Sequence, residues 1–186
     1  WPYSAPAELQ ALAKRAQMLP ALDRIAYEID LMCIDAEQAV DAWLTLGATR
    51  LTFHAESVID LPRLIRTSRG RYGDFISFGL ALNVACDPVL LELCLGDIEY
   101  VQFMGIASIG KQGQPFDRRV LEKIRVFSAR HPQIPLQVDG GVSLESAQKL
   151  IALGVSNLVV GSSLLKAHDP AAAFAAFENL VTPFGV

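Results

Sequence analysis

The stretch Leu136-Gln137-Val138-Asp139-Gly140-Gly141, with a helix start at Ser143, Glu145 and Ser146 just beyond it, decides the fold class. A short run ends on a carboxylate, turns on two glycines and enters a helix. This is the anatomy of one strand-to-helix unit in a parallel α/β sheet, where functional groups gather at the carboxyl ends of strands.

The same unit recurs in outline along the chain, at a period of about 25 residues. Short β-rich runs are expected at Ile25–Leu31, Arg50–His54, Phe75–Asn83, Ile98–Met104, Leu136–Asp139 and Asn157–Gly161. Helices are expected at Ala36–Leu46, Leu61–Ser68, Pro88–Cys94, Asp117–Arg130, Ser143–Leu153 and Pro170–Leu180, with another near Ala7–Met18. Leu46-Gly47, Leu95-Gly96 and Leu153-Gly154 share one punctuation, a glycine free to take the left-handed conformation that stops a helix. The strands read as near-continuous apolar runs, such as Leu158-Val159-Val160, without clean alternation. Strands buried on both faces have that pattern, and their alternation with helices implies a parallel sheet. An open doubly wound sheet and a closed (β/α)8 barrel both satisfy it. A barrel needs two strands more than these six, placed before Trp1.

Composition narrows the function classes. The chain has 186 residues, enough for one domain with a sizeable core; 52% are apolar and 19% charged. A net charge of -4 supplies no basic patch for a nucleic-acid backbone. Charged residues or glycine interrupt every apolar run before it reaches membrane-spanning length. Cys33, Cys86 and Cys94 are too widely spaced for a zinc cluster, and as reduced thiols they suit a cytoplasmic protein. The chain opens on Trp1 rather than Met, so further residues are expected in front of it, and no signal peptide is visible.

At the strand ends stand Asp30, His54 with Glu56, Asn83, the segment from Gly105 to Gly113, Asp139-Gly140-Gly141 and Gly161-Ser162-Ser163. A carboxylate within an apolar strand, as at Asp30, is costly unless paired or ligated; a solvated strand end is the plain alternative. Gly140-Gly141 and Gly161-Ser162 each precede a helix, where backbone N–H groups and the helix terminus favour an anion; tight turns alone are the other explanation. The glycine-rich segment from Gly105 to Phe116 suits a loop that closes over substrate, and Lys111 within it is placed to meet a phosphate or simply to be solvated. His54 is as well explained as a satisfied core histidine as a metal ligand. His131 and His168 carry no assignment.

Taken together these residues resemble the ribulose-phosphate 3-epimerase family, including the hexulose-phosphate 3-epimerases, over nearly the whole chain. Tyr3 to Pro6 resembles the turn after that family's second strand, and Glu28-Ile29-Asp30-Leu31-Met32 its third strand. Leu46-Gly47-Ala48 with Thr52-Phe53-His54-Ala55-Glu56 is similar to the fourth unit, and Gly79 to Asn83 to the fifth. Gly110 to Phe116 stands at the family's Pro-Gly-Phe-Gly-Gly-Gln-x-Phe loop, and Val138 to Val142 and Val160 to Ser163 match its last two strand ends.

The resemblance implies a single (β/α)8 barrel domain over 1–186, its first two strands lying outside the sequence. It also implies an isomerase of carbohydrate metabolism that inverts C3 of a phosphorylated ketose, D-ribulose 5-phosphate or a close analogue. Proton abstraction beside a carbonyl needs a base, and inversion an acid on the opposite face. The enediolate between the two steps needs electrostatic stabilisation, which the family obtains from a divalent metal ion, here Zn, Fe, Mn or Mg. By the same resemblance Asp139 is catalytic, Asp139 and Asp30 ligate the metal, and Asp30, Gly110, Lys111, Gln112, Gly113, Gly140, Gly141, Gly161 and Ser162 hold the phosphorylated substrate. The expected partner is a small phosphorylated sugar, with no nucleic acid or membrane. A homo-oligomer is expected because apolar barrel exteriors pair with copies of themselves.

Three departures stand out. The family's second catalytic Asp, in a His-x-Asp-x-Met-Asp-Gly motif, has its place before Trp1. Asp30 replaces a metal-binding His, which favours harder, oxygen-seeking ions. The usual Pro-Gly-Phe is missing from the loop near Gly110. The alternative to an epimerase is therefore a barrel of the same descent that binds a phosphorylated ligand without epimerising it.

Overall fold

In the computed structural model, which describes residues 8–111 and 113–181, every expected β-rich run forms a strand. Gln112, Ala7 and the turn expected at Tyr3 to Pro6 lie outside the described residues. The chain divides into two units, Trp1–Ala81 with Pro88–Tyr100, and Leu82–Asp87 with Val101–Val186.

In the first unit, helix α1 (Leu9–Lys14) precedes β1 (Glu28–Leu31), α2 (Ala36–Thr45), β2 (Arg50–His54), α3 (Leu61–Tyr72) and β3 (Ser77–Leu82). Both pairings are parallel: Asp30 stands opposite Thr52, and His54 opposite Ala81. The second unit carries β4 (Tyr100–Met104), whose first residue belongs to the first unit. It continues through α4 (Arg119–Arg130), β5 (Leu136–Asp139), α5 (Leu144–Ala152), β6 (Asn157–Val159), α6 (Ser162–Leu165) and α7 (Pro170–Val181). Here Met104 stands opposite Asp139, and Asp139 opposite Val159, again in parallel register. Strand order follows chain order within each unit, β1-β2-β3 and β4-β5-β6. A doubly wound sheet reverses its order at a switch point, and neither unit does; this is the winding of a (β/α)8 barrel.

Contrary to the expectation of unpatterned apolar strands, the side chains alternate. In β2, Leu51 and Phe53 are fully buried on one face, while Arg50, Thr52 and His54 share the other. The β5 sequence likewise sends Leu136 and Val138 to one side and Gln137 and Asp139 to the other. The polar face is itself buried, which is why the strands looked two-sided. Gln137 donates its amide to Oε1 of Gln102 at 2.7 Å, and Asn157 donates to Oε1 of Gln137. Phe53, Phe78, Phe103 and Phe127 lie fully buried on the apolar side, each worth about 1.5–3 kcal/mol of burial.

The starts of the strands in the first unit carry a second polar cluster. Arg50 Nε donates to Glu28 at 2.8 Å, Thr52 and Tyr100 hydroxyls lie 2.7 Å apart, and each reaches Glu28 Oε1 at 3.2 Å. Arg50 also stacks over the Tyr100 ring at 4.2 Å. Gly79 permits this, because a side chain at that position would overlap the ring. Burial, then the neighbouring Glu28 charge, pushes the Tyr100 phenol well above its ordinary range even though the Thr52 bond pulls the other way. This cluster sits at the amino ends of strands, where barrels invest in stability rather than chemistry.

Several local expectations need correction. Pro88–Cys94 is helical over the expected residues, in 3-10 form; its buried residues, Leu91 and Cys94, recur at the three-residue spacing of that turn. Gly47 and Gly154 stop their helices with φ of +103° and +82°, whereas Gly96 does not take a positive φ, since no α-helix ends there. β6 stops at Val159, two residues early, because Gly161 already serves as the N-cap of α6. Ser143 and Ser146 form the expected cap by bonding reciprocally.

Candidate functional site

Asp139 is the last residue of β5, and its carbonyl accepts the Gly105 N–H at 2.7 Å. The two glycines that follow have φ of +98° and +67°, a left-handed pair that L side chains rarely tolerate. A Cβ on Gly141 would lie 2.7 Å from Cα of Phe116, so the two backbones touch only because the side chain is absent. Gly105 closes the same contact from the other direction: its carbonyl accepts the Asp117 N–H at 2.8 Å. The strand end, its glycine turn and both ends of the loop from Gly105 to Phe116 are thus one hydrogen-bonded assembly within the second unit.

Of that assembly, Gly141 and Phe116 line a cleft of about 390 Å³, and Asp139 is joined to it through Gly140 without lining it. Of the expected substrate-binding residues, Gly113, Gly141 and Ser162 line it; Gly140 and Gly161 adjoin two of these in sequence without lining it, and Gly110 and Lys111 do not line it either. Gln112 lies outside the described residues. Ser163 donates to the Val142 carbonyl at 2.5 Å and ties the second glycine turn to the first. Gln114 fastens the loop from within by donating to the carbonyls of Lys111, at 2.8 Å, and Ser108. Lys111 is exposed. Where the loop ends, Asp117 is held below its ordinary value by its hydrogen bonds from Arg119.

The cleft also recruits residues the sequence did not mark. Lys149 and Arg118 both line it, with Glu145 between them at 2.5 Å from Lys149 Nζ and 3.6 Å from Arg118. Two cations against one carboxylate leave this edge of the cleft net positive, and hydrogen bonding to Lys149 holds the Glu145 carboxyl below its ordinary value. The Glu145–Lys149 spacing of four was visible, but such pairs usually mark only a solvated helix face.

Asp30 belongs to the first unit. Its Oδ1 lies 2.7 Å from Nε2 of His54, which is wholly buried at the end of β2, and Glu56 Oε2 stands 4.0 Å from the ring's Nδ1. Because an ionised carboxylate only accepts, Nε2 is the donor. Among the described residues no three His, Cys, Asp or Glu side chains gather into a group that could hold a metal ion. One part-exposed carboxylate already engaged by His54 does not by itself make a cation site.

The sequence model of the ribulose-phosphate 3 epimerase family matches residues 10–165. Ribulose-phosphate 3-epimerase of Mycobacterium leprae is 29% identical over 170 residues, covering 88% of this chain and 73% of that protein. The Schizosaccharomyces pombe enzyme of the same name is 24% identical over 158 residues, covering 83% and 66%. The chain therefore spans about two thirds of the length of the curated relatives it matches. Among solved structures, a 3-hexulose-6-phosphate synthase superposes with a TM-score of 0.68 at 19% identity, over 94% of this chain and 81% of that one. The 3-keto-L-gulonate-6-phosphate decarboxylase of Vibrio cholerae gives 0.64 at 16% identity, over 97% and 81%. At such identities the superpositions establish the fold, that of the (β/α)8 barrel.

Proposed function

This chain belongs to the ribulose-phosphate 3-epimerase family, and from that premise we propose that it inverts C3 of a ketose phosphate, D-ribulose 5-phosphate to D-xylulose 5-phosphate or a close analogue. The observation that carries this reading is the position of Asp139, one residue before a left-handed glycine turn that walls an anion-complementary cleft.

The phosphate is held in the cleft by the turn at Gly140 and Gly141, by Gly161 and Ser162, and by the loop from Gly110 to Gly113. Lys149 and Arg118 add positive charge at its edge. Anchored there, the sugar extends towards the strand end, and the Asp139 carboxylate takes or returns the C3 proton on one face. Inversion requires a second acid–base group on the opposite face. The Gly105-to-Phe116 loop shields the enediolate from water. By the family resemblance Asp139 would also serve as an oxygen ligand of a divalent cation, which when bound would supply electrostatic stabilisation of the enediolate oxygens. We place the protein in the cytoplasm as a homo-oligomer; among the described residues no helix is long and apolar enough to cross a membrane.

The test is turnover of D-ribulose 5-phosphate in deuterated water by the protein including any residues upstream of Trp1. Deuterium entering at C3, read by NMR, is the expected result. Tight binding of the sugar phosphate with no exchange at C3 would identify a ligand-binding barrel instead.

A further inference from the structure

The charged edge of the cleft holds an arrangement that anchoring a phosphate does not by itself require: a carboxylate beside the cations. One oxygen of Glu145, Oε1, is shared by two cations from different elements. Lys149 Nζ, one turn further along α5, lies 2.5 Å from it, and Arg118, the N-cap of α4, lies 3.6 Å away. All three line the cleft together with Ser143, the N-cap of α5. Arg118 follows Asp117, whose N–H bonds the Gly105 carbonyl, so its backbone belongs to the assembly that holds the glycine turn. The first turn of a helix attracts negative charge, and two neighbouring cations attract more. In the free protein the Glu145 carboxylate supplies that charge. It does so loosely, because Glu145 and Arg118 are 73% and 76% exposed and ion pairs so open to water are weak. A phosphate monoester carries about -1.5 to -2 charges near neutral pH, with three acceptor oxygens, against the single charge of a carboxylate.

We propose that Glu145 is a displaceable stand-in for the substrate phosphate: it pairs with Lys149 and Arg118 in the free protein, yields both to a phosphate group entering the cleft, and takes them back when that group leaves. Glu145 thereby lowers the affinity of the cleft and favours release of the bound sugar phosphate. It acts through Lys149 and Arg118 and is a positioning residue rather than a catalytic one. The inference rests on the reading of the cleft as the phosphate site.

Binding of inorganic phosphate, titrated at low ionic strength and followed by phosphorus NMR, tests it without reference to turnover. These side chains face solvent, so their substitution leaves the fold intact. Glu145→Gln is expected to tighten phosphate binding by about 3–10-fold, and Lys149→Gln to weaken it by a similar factor. With Lys149→Gln and Arg118→Gln both in place, adding Glu145→Gln should change the affinity by less than about twofold, because no cation remains to be released. An equal or larger gain in that background would show plain repulsion between Glu145 and phosphate and would overturn the exchange. The Glu145 carboxyl, held below its ordinary value by Lys149 and then by Arg118, should titrate at higher pH once phosphate saturates the cleft. Carbon NMR of that carboxyl reads the shift, and an unmoved titration would also overturn the exchange. A parent protein that binds no phosphate would remove the reading of the cleft and the inference with it. Phosphate binding indifferent to all three substitutions, with deuterium still entering at C3 of D-ribulose 5-phosphate, would overturn the exchange and leave the epimerase reading standing. The expected binding pattern without C3 exchange would do the opposite.

Discussion

Gly141 meets Phe116 backbone to backbone: a Cβ on Gly141 would fall 2.7 Å from Phe116 Cα and 2.9 Å from its nitrogen. This contact joins the turn after Asp139 to the end of the glycine-rich loop, so the proposed acid–base carboxylate and the proposed phosphate cleft share one support. Gly141→Ala adds both this overlap and the strain of a φ of +67°. It should destabilise the protein by more than about 1 kcal/mol in urea unfolding and raise the KM for the sugar phosphate. Unchanged values for both would remove the contact from the account.

The buried cluster at the strand starts should behave differently. Tyr100→Phe deletes the hydroxyl shared by Thr52 and Glu28. A loss of about 1.5–3 kcal/mol is expected, the range for hydrogen bonds to charged groups, with kcat essentially unaltered. Urea denaturation and steady-state kinetics on one preparation separate the two effects.

The thiols provide a check that does not depend on function. Cys33 and Cys94 are 6% and 1% exposed, and Cys86 is more open. Burial first, then hydrogen bonding to Asp35, pushes the Cys33 thiol up from 9.0 to about 11. At pH 8 a thiol reagent should titrate Cys86 in the native protein, and Cys33 and Cys94 only after denaturant is added. Because the folded state prefers protonated Cys33, its contribution to stability is complete below pH 9 and is lost as pH rises towards 11. Cys33→Ala should accordingly flatten that alkaline decline in an unfolding series.

If Asp30 ligates the cation, Asp30→His should shift preference from hard ions such as Mg2+ and Mn2+ towards Zn2+. Competition between Mn2+ and Zn2+, read by EPR, measures this directly. An unaltered preference would count against Asp30 as a ligand. Chelation should abolish epimerisation, restored by adding the ion back.

The fold was legible because strand ends, glycine turns and helix starts are local events: Asp139-Gly140-Gly141-Val142-Ser143 shows all three in five residues. What escaped was non-local. The alternation in β5 was hidden because Gln137 is buried against Gln102 of β4, a pairing no single strand reveals. Lys149 and Arg118 were missed because each reads as an ordinary helix-surface charge until folding brings them to one cleft. His54 gave no signal of its 2.7 Å approach to Asp30, because the two residues stand on adjacent strands far apart in sequence.

The central claim is that Asp139 moves the C3 proton. Asp139→Asn keeps the shape of the strand end while removing the base, so its fold, by circular dichroism, and its phosphate affinity should match the parent. Solvent deuterium incorporation at C3 of D-ribulose 5-phosphate should fall by about 100-fold or more, the usual scale of a general base. Exchange at the parent rate in a correctly folded Asp139→Asn protein would contradict the account.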